Sequence, residues 1–366
     1  MGTDHEGMRV FCFFLVLFFS VLGSALAQAP ATFKVLTFNS WLLDIPVGLG
    51  FRTEIAQDMD ERLQLLPEYL AATDADIIVL QEVWSQRSKR FLSKALKTKG
   101  YPYSAYTSLS NWLAIFEVEM GDGLLVLSKY PISKNVQTYD FSVATQGLES
   151  FSKKGALKLQ IKVPNLGWID FYASHAGAVD FEQNDYKSDQ VARHSKQIQE
   201  LAAFIQRTRS HAITVLGADL NMHYQKWKNH AFAPEFSDDY VNFKQHACGA
   251  GYSMVDTYLK THGKGAKETP DYTFTRANPY VDHGFFDTLP SEVEDYIFLC
   301  ENSILRPVTS AQVFQDAIQP ETVKSLNLSL NRLPKRLSDH FGVMTTFMQV
   351  GSALDEDTQR RLASAP

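Results

Sequence analysis

The chain is short of cysteine, of basic charge and of long apolar runs, and each shortage removes a class of protein. Three cysteines occur in 366 residues, and none has the close spacing of a thiolate metal site. Lysine and arginine number 35 against 41 acidic residues, a formal charge of −6. That balance argues against a protein that holds DNA or RNA by bulk counterion release, so no stable nucleic-acid partner is expected. Only residues 10–22 form a long apolar run, and no second stretch of membrane-spanning length follows. No long Gly, Pro or Ser linker, internal repeat or low-complexity segment interrupts the rest. What is present is ample core material, 45% hydrophobic and 12% aromatic, enough for a large α/β domain.

The N-terminus has the layout of a secretion signal. Arg9 precedes the apolar run, which is too short to span a bilayer comfortably, and Ala25-Leu26-Ala27 supplies small residues for cleavage. Residues 1–27 are therefore expected to be removed, leaving a secreted chain that starts at Gln28. Asp4 and Glu6 dilute the positive charge of the leader, so an uncleaved membrane anchor is the alternative. Cleavage removes Cys12 and leaves Cys248 and Cys300. An oxidising compartment permits these two to pair, but the sequence does not show that they do, and two independent half-buried thiols is the simpler reading. Asn327-Leu328-Ser329 is a glycosylation sequon.

Strand patterns fall at 33–38, 77–81, 123–128, 155–163, 168–174, 212–217, 293–299 and 341–348. Helical spacing places Val191, Ile198, Leu201, Ala202 and Ile205 on one face of a helix over 185–207. Leu63, Leu66 and Leu70 do the same over 59–71, where Pro67 costs a hydrogen bond. Helices covering the outsides of two packed mixed sheets give a four-layer α/β/β/α sandwich. The segments 107–121, 222–253 and 260–292 read as long loops, and loops of that length in a compact domain are usually functional. One domain is expected over 28–350, followed by a flexible tail over 351–366.

The strands end on polar residues: Asn39, Gln81-Glu82, Ser174-His175, Asp219 and Asn221, Glu294-Asp295, and Ser338-Asp339-His340. Ending buried strands on charges repeatedly costs stability, and a hard-metal site explains it. Glu82 is a candidate metal ligand, Asn39 offers a neutral oxygen, and Asp339 a second carboxylate. Asp219 and Asn221, two apart, share one side of an extended chain. Asp219 is suited to orient a water, a metal or an imidazole, and Asn221 to give its amide to a phosphate oxygen.

Taken in order, Thr37-Phe38-Asn39, Leu80-Gln81-Glu82-Val83-Trp84, Gly123 through Ile132, Ser174-His175, Gly217-Ala218-Asp219-Leu220-Asn221, Asp295-Tyr296-Ile297 and Ser338-Asp339-His340 resemble the endonuclease/exonuclease/phosphatase superfamily. The DNase I-like fold follows as an expectation. Within it the chain is similar to the neutral sphingomyelinases, on Trp84, the segment 123–132, and Tyr186, Arg193 and Glu200-Leu201 of the helix after His175. Two departures stand out: in Ala178-Val179-Asp180 an acid that the family carries nearer its histidine is lost or shifted by one, and Ala218 replaces a glycine.

The resemblance implies a general-base dyad of His340 and Asp295, with His175 across the scissile phosphate and Lys154 contacting it. It implies Mg²⁺, with Mn²⁺ or Co²⁺ able to substitute, and hydrolysis of sphingomyelin at a phospholipid membrane surface to ceramide and phosphocholine. Trp41, Leu42, Trp112, Phe285 and Phe286 are candidate membrane contacts. A secreted metal-dependent nuclease and a phospholipase C acting on another phospholipid are the alternatives. An inositol phosphatase would need more basic residues, and Tyr296 stands where an Arg would follow Asp295. Protein partners are not legible.

Overall fold

In the structure, a computed structural model, two six-stranded sheets pack face to face, each built around one parallel pair of strands. It describes residues 31–48, 51–54, 56–107, 122–144, 153–182, 185–263, 268, 270–281 and 289–350. Residues 1–30, the tail over 351–366, and Trp112, Phe285 and Phe286 lie outside them. From Ala31 onward the chain forms one unit.

The first sheet runs in the order Leu305–Val313, Gly342–Gln349, Thr32–Leu42, Ile77–Val83, Leu125–Ser128 and Tyr103–Ala105. The second runs Met254–Asp256, Asp295–Cys300, Thr214–Asp219, Gly167–His175, Gly155–Val163 and Gln137–Asp140. Thr32–Leu42 lies parallel to Ile77–Val83, with Asn39 opposite Gln81. Thr214–Asp219 lies parallel to Gly167–His175, with Asp219 opposite His175. The remaining pairings in both sheets are antiparallel.

Side chains alternate across each strand, so odd and even positions go to different layers. Val35, Ile77, Val79, Phe171, Val215, Ile297 and Phe347 fill the core between the sheets. Leu36, Phe38, Ile78 and Leu80 point outward, against Leu63, Leu66 and Leu70 of the helix Met59–Ala72 and Leu92 and Leu96 of the helix Gln86–Lys97. On the second sheet Tyr172, Leu216 and Phe298 meet Ile198, Leu201 and Ile205 of the helix Ser188–Thr208, with Phe243 of the helix Asp238–His246. The expected four layers are thus present. Gly217 lets the sheets close at one end, since a Cβ there would stand 3.0 Å from a Val79 methyl carbon.

The structure corrects three expectations. The segment 222–253 is not a loop. It holds a strand pair, Gln225–Lys228 with Ala231–Phe236, and the helix Asp238–His246, whose N-terminus the Ser237 side chain caps. Cys248 and Cys300 are joined in a disulfide, with their Cα atoms 5.7 Å apart. Folding brings the turn after that helix to the end of Asp295–Cys300, a proximity that a separation of 52 residues conceals. Trp41 and Leu42 are not membrane contacts, because both are buried. Trp41 packs against both the Arg62 guanidinium, 5.0 Å from its ring centre, and Tyr280, at 5.4 Å.

Candidate active site

The inward-facing positions 35, 37 and 39, 171, 173 and 175, 215, 217 and 219, and 295, 297 and 299 carry the alternation past the apolar core. It ends on Asn39, His175, Asp219 and Asp295 at one edge of the sandwich. Glu82 breaks that parity. Ile77, Val79 and Gln81 take the inner face, so Glu82 by alternation belongs with Leu80 outside. A left-handed backbone at Glu82, φ 58°, redirects its carboxylate to the same edge, where Asn39 donates Nδ2 to Glu82 Oε1 at 3.2 Å. A non-glycine residue in this conformation is uncommon and marks a functional constraint. Asn221, at φ 46°, is a second such residue.

Asn39 ties the two sheets together. Its Nδ2 also donates to Asp219 Oδ2 at 2.8 Å, while its Oδ1 accepts from the Trp41 N–H at 2.9 Å. The oxygen expected to face a metal thus spends one lone pair on backbone, while the amide nitrogen serves as a positioning donor. Asp219 is fully buried, and its Oδ1 accepts from the Asn221 N–H at 3.0 Å. Burial, with the charge of Asp295 adding to it, pushes the Asp219 carboxyl up to about 7. Asn221 spends one amide hydrogen on the Ala176 carbonyl at 3.0 Å.

His340 Nδ1 lies 2.9 Å from Asp295 Oδ2. Burial opposes charge on this ring, but Asp295 and Asp339 outweigh it and hold its pKa well above the ordinary value. The other Asp295 oxygen is buried with no hydrogen-bond partner among the described residues. His175 behaves oppositely: burial, then the positive Lys154, keep it well below the ordinary value and therefore neutral. Lys154 is buried rather than solvated, its Nζ 2.9 Å from His175 Nε2 and 5.3 Å from the Trp84 ring centre. His175 Nε2 also lies 3.5 Å from Asp219 Oδ2.

Asp339 takes a hydrogen bond from the Ser338 hydroxyl at 3.0 Å. Burial raises its carboxyl to about 6, with the charge of Glu82 contributing. Two carboxylates sharing one field, with no thiolate near, are a donor set that suits a hard cation. Asp219, Asp295 and His340 also bring one ligand atom each within 4.8 Å of one another and could hold a metal ion.

Arg62 and Glu292 were not singled out by the sequence, and Glu294 stands in it as a strand-end residue without a role. Arg62 is fully buried and donates to the carbonyls of Ser40, Trp41 and Leu337, pinning the segments that carry Asn39 and Ser338. Glu292 is buried, as is Glu294, whose carboxylate lies 3.8 Å from His340 Nε2. The signal for the last two was available: positions two apart in an extended chain share a side.

Two packed mixed sheets flanked by helices, with a polar cluster where their central strands end, define the DNase I-like class of α/β sandwich. The chain belongs to the endonuclease/exonuclease/phosphatase family, whose sequence model matches residues 36–340. It is 30% identical over 201 residues to sphingomyelin phosphodiesterase 2 of Mus musculus, covering 52% of this chain and 41% of that one. It is 29% identical over 153 residues to an inositol phosphosphingolipids phospholipase C of Schizosaccharomyces pombe, covering 40% and 31%. The chain thus spans well under half the length of these relatives. Among solved structures, sphingomyelinase C of Streptomyces griseocarneus superposes with a TM-score of 0.57 at 20% identity, covering 86% of this chain and 99% of that one. A Staphylococcus aureus beta toxin variant with bound magnesium ions gives 0.53 at 15%, covering 86% and 99%.

Proposed function

We propose that the protein is a secreted, Mg²⁺-dependent phosphodiesterase that hydrolyses sphingomyelin to ceramide and phosphocholine. The observation that carries this reading is the buried His340–Asp295 dyad, 2.9 Å apart, in the same site as Glu82 and Asp339. In it, Asp295 fixes the tautomer of His340, and a cation held at Glu82 and Asp339 would offset the carboxylate charge that keeps the ring protonated, freeing Nε2 to take a proton from the attacking water. Asp219 orients that water, and the remaining amide hydrogen of Asn221 meets a phosphate oxygen. On the opposite side His175, with the Lys154 ammonium against it, faces the departing alkoxide.

Glu82 and Asp339 are the residues that would hold Mg²⁺, with Mn²⁺ or Co²⁺ substituting; Asp219, Asp295 and His340 are assigned instead to proton handling, because two of them already bond each other. The cation would offset the surplus carboxylate charge and polarise a phosphate oxygen. The magnesium in the beta toxin structure supports the choice of Mg²⁺, and the names of the relatives support the substrate. Among the described residues no helix is long and apolar enough to cross a membrane. Secretion rests on residues 1–27 and is checked by sequencing the exported chain, expected to begin at Gln28.

Phosphocholine release from sphingomyelin vesicles tests the reading, with Mg²⁺ and with chelator, beside plasmid DNA and the His340→Ala protein. Release should vanish with chelator and fall by roughly 10²–10⁴-fold in the variant, the usual worth of a general base. Mg²⁺-dependent nicking of plasmid without lipid turnover would overturn the lipid substrate and leave a nuclease.

A further inference from the structure

Next to the dyad lies a group of side chains that the hydrolytic step does not use. Glu294 is the carboxylate 3.8 Å from His340 Nε2, and Glu292 stands on the same side of the chain two residues earlier. Both are buried, and among the described residues no lysine or arginine pairs with either. Among the described residues the Glu292 carboxylate has one hydrogen-bond partner, the Tyr186 hydroxyl at 2.7 Å. Of the two glutamates, Glu294 has His340 beside it, whereas Glu292 has no cationic partner among the described residues; a buried carboxylate so placed is costly, and a bound cation would offset that cost.

Aromatic rings continue from Tyr186. Phe181, Tyr186 and Trp227 are each partly exposed, and their centres are 5.2, 5.3 and 5.4 Å apart pairwise. The rings meet edge to face at 79–82°. Phe232 adds a further ring 5.0 Å from Trp227. The indole N–H of Trp227 is buried with no hydrogen-bond partner among the described residues. Ring faces attract cations that cannot use hydrogen-bond donors, and quaternary ammonium groups are the ligands this geometry suits. An inositol headgroup would hydrogen-bond the carboxylates and the indole N–H through its hydroxyls, but it carries no cation for the ring faces.

We infer that Phe181, Tyr186, Trp227 and Phe232, with Glu292 and Glu294, form the subsite that receives the quaternary ammonium of the substrate headgroup and sets the preference for choline esters. The inference rests on the phosphodiesterase reading above and names what selects within it. Tyr186 joins the two halves of the subsite, as a ring toward Phe181 and Trp227 and a hydroxyl toward Glu292. Trp227 and Phe232 come from the strand pair Gln225–Lys228 and Ala231–Phe236, so headgroup choice is carried by an excursion from the second sheet rather than by the catalytic strands.

The test compares kcat/KM for a choline phosphodiester with that for its 3,3-dimethylbutyl analogue, in which carbon replaces nitrogen and the charge is lost. The unmodified protein should prefer the choline ester by about tenfold or more, the scale of a desolvated cation–aromatic contact. Trp227→Leu and Glu292→Gln should move the ratio toward one, mainly through KM, whereas Trp227→Phe should retain most of it. Calorimetric titration with phosphocholine and with 3,3-dimethylbutyl phosphate reads the same preference without turnover and reports on variants that fold but do not turn over. Hydrolysis of both esters at equal efficiency, or a ratio unmoved by both Trp227→Leu and Glu292→Gln, overturns the inference and leaves the phosphodiesterase standing. Selective binding of phosphocholine with no hydrolysis of either ester supports the subsite and overturns the enzymatic reading instead.

Discussion

Asp170 shows how a single buried charge is tolerated away from the active site. It is fully buried, 3.2 Å from Lys158 Nζ and 3.1 Å from His211 Nδ1, with the His211 N–H donating to it at 2.7 Å. Burial alone would raise its pKa, but the His211 hydrogen bond and the Lys158 charge outweigh that and hold it below the ordinary value. A carboxyl depressed on folding contributes stability that is fully present above its unfolded pKa and lost as pH falls through the folded one. The acid limb of the stability curve should therefore steepen below about pH 4, near the free Asp value. In Asp170→Asn that part of the slope should disappear. Urea midpoints measured at stepped pH decide it, and an unchanged acid limb would remove Asp170 from the account.

At the level of elements, the site depends on how closely two sheets approach where their central strands end. Gly217 sits opposite Ala173 in its own sheet and faces Val79 of the other. Replacing it with alanine puts a methyl group 3.0 Å from Val79 and 3.6 Å from Thr37 Cβ. The strain should cost roughly 1–3 kcal/mol, the usual penalty for overpacking. Because Asp219 lies two residues on and Asn39 two residues beyond Thr37, the same change should lower phosphodiester turnover more than Gly249→Ala does. Gly249 has only a Gln206 side chain within 4 Å of an added Cβ, though its positive φ of 86° disfavours alanine. Denaturation midpoints and turnover measured on both variants separate site distortion from general loss of stability.

Across the whole molecule, the Cys248–Cys300 disulfide closes a loop of 52 residues and restrains the strand that begins at Asp295. The chain-entropy model assigns such a loop about 4 kcal/mol. Reduction, or the Cys248→Ser/Cys300→Ser double variant, should lower the unfolding free energy by up to that amount, read from denaturant midpoints with and without reductant. An unchanged midpoint would mean that the helix Asp238–His246 and the strand Asp295–Cys300 hold together by packing alone. Much of this architecture was legible in the chain itself. Alternation in strands and the 3.6-residue period of the helices depend on neighbours in sequence, so both sheets' central strands and two of the flanking helices could be placed, along with Glu82, His175, Asp219, Asp295 and His340. What the sequence could not supply is whatever depends on residues brought together from far apart. The burial of Trp41 against Arg62 and Tyr280, the pairing of the two cysteines, and the meeting of Glu292 with Tyr186 are long-range contacts, and the left-handed backbone at Glu82, though local, is not reported by periodicity. Sequence periodicity reports which face a side chain takes; only the packed structure decides what that face meets.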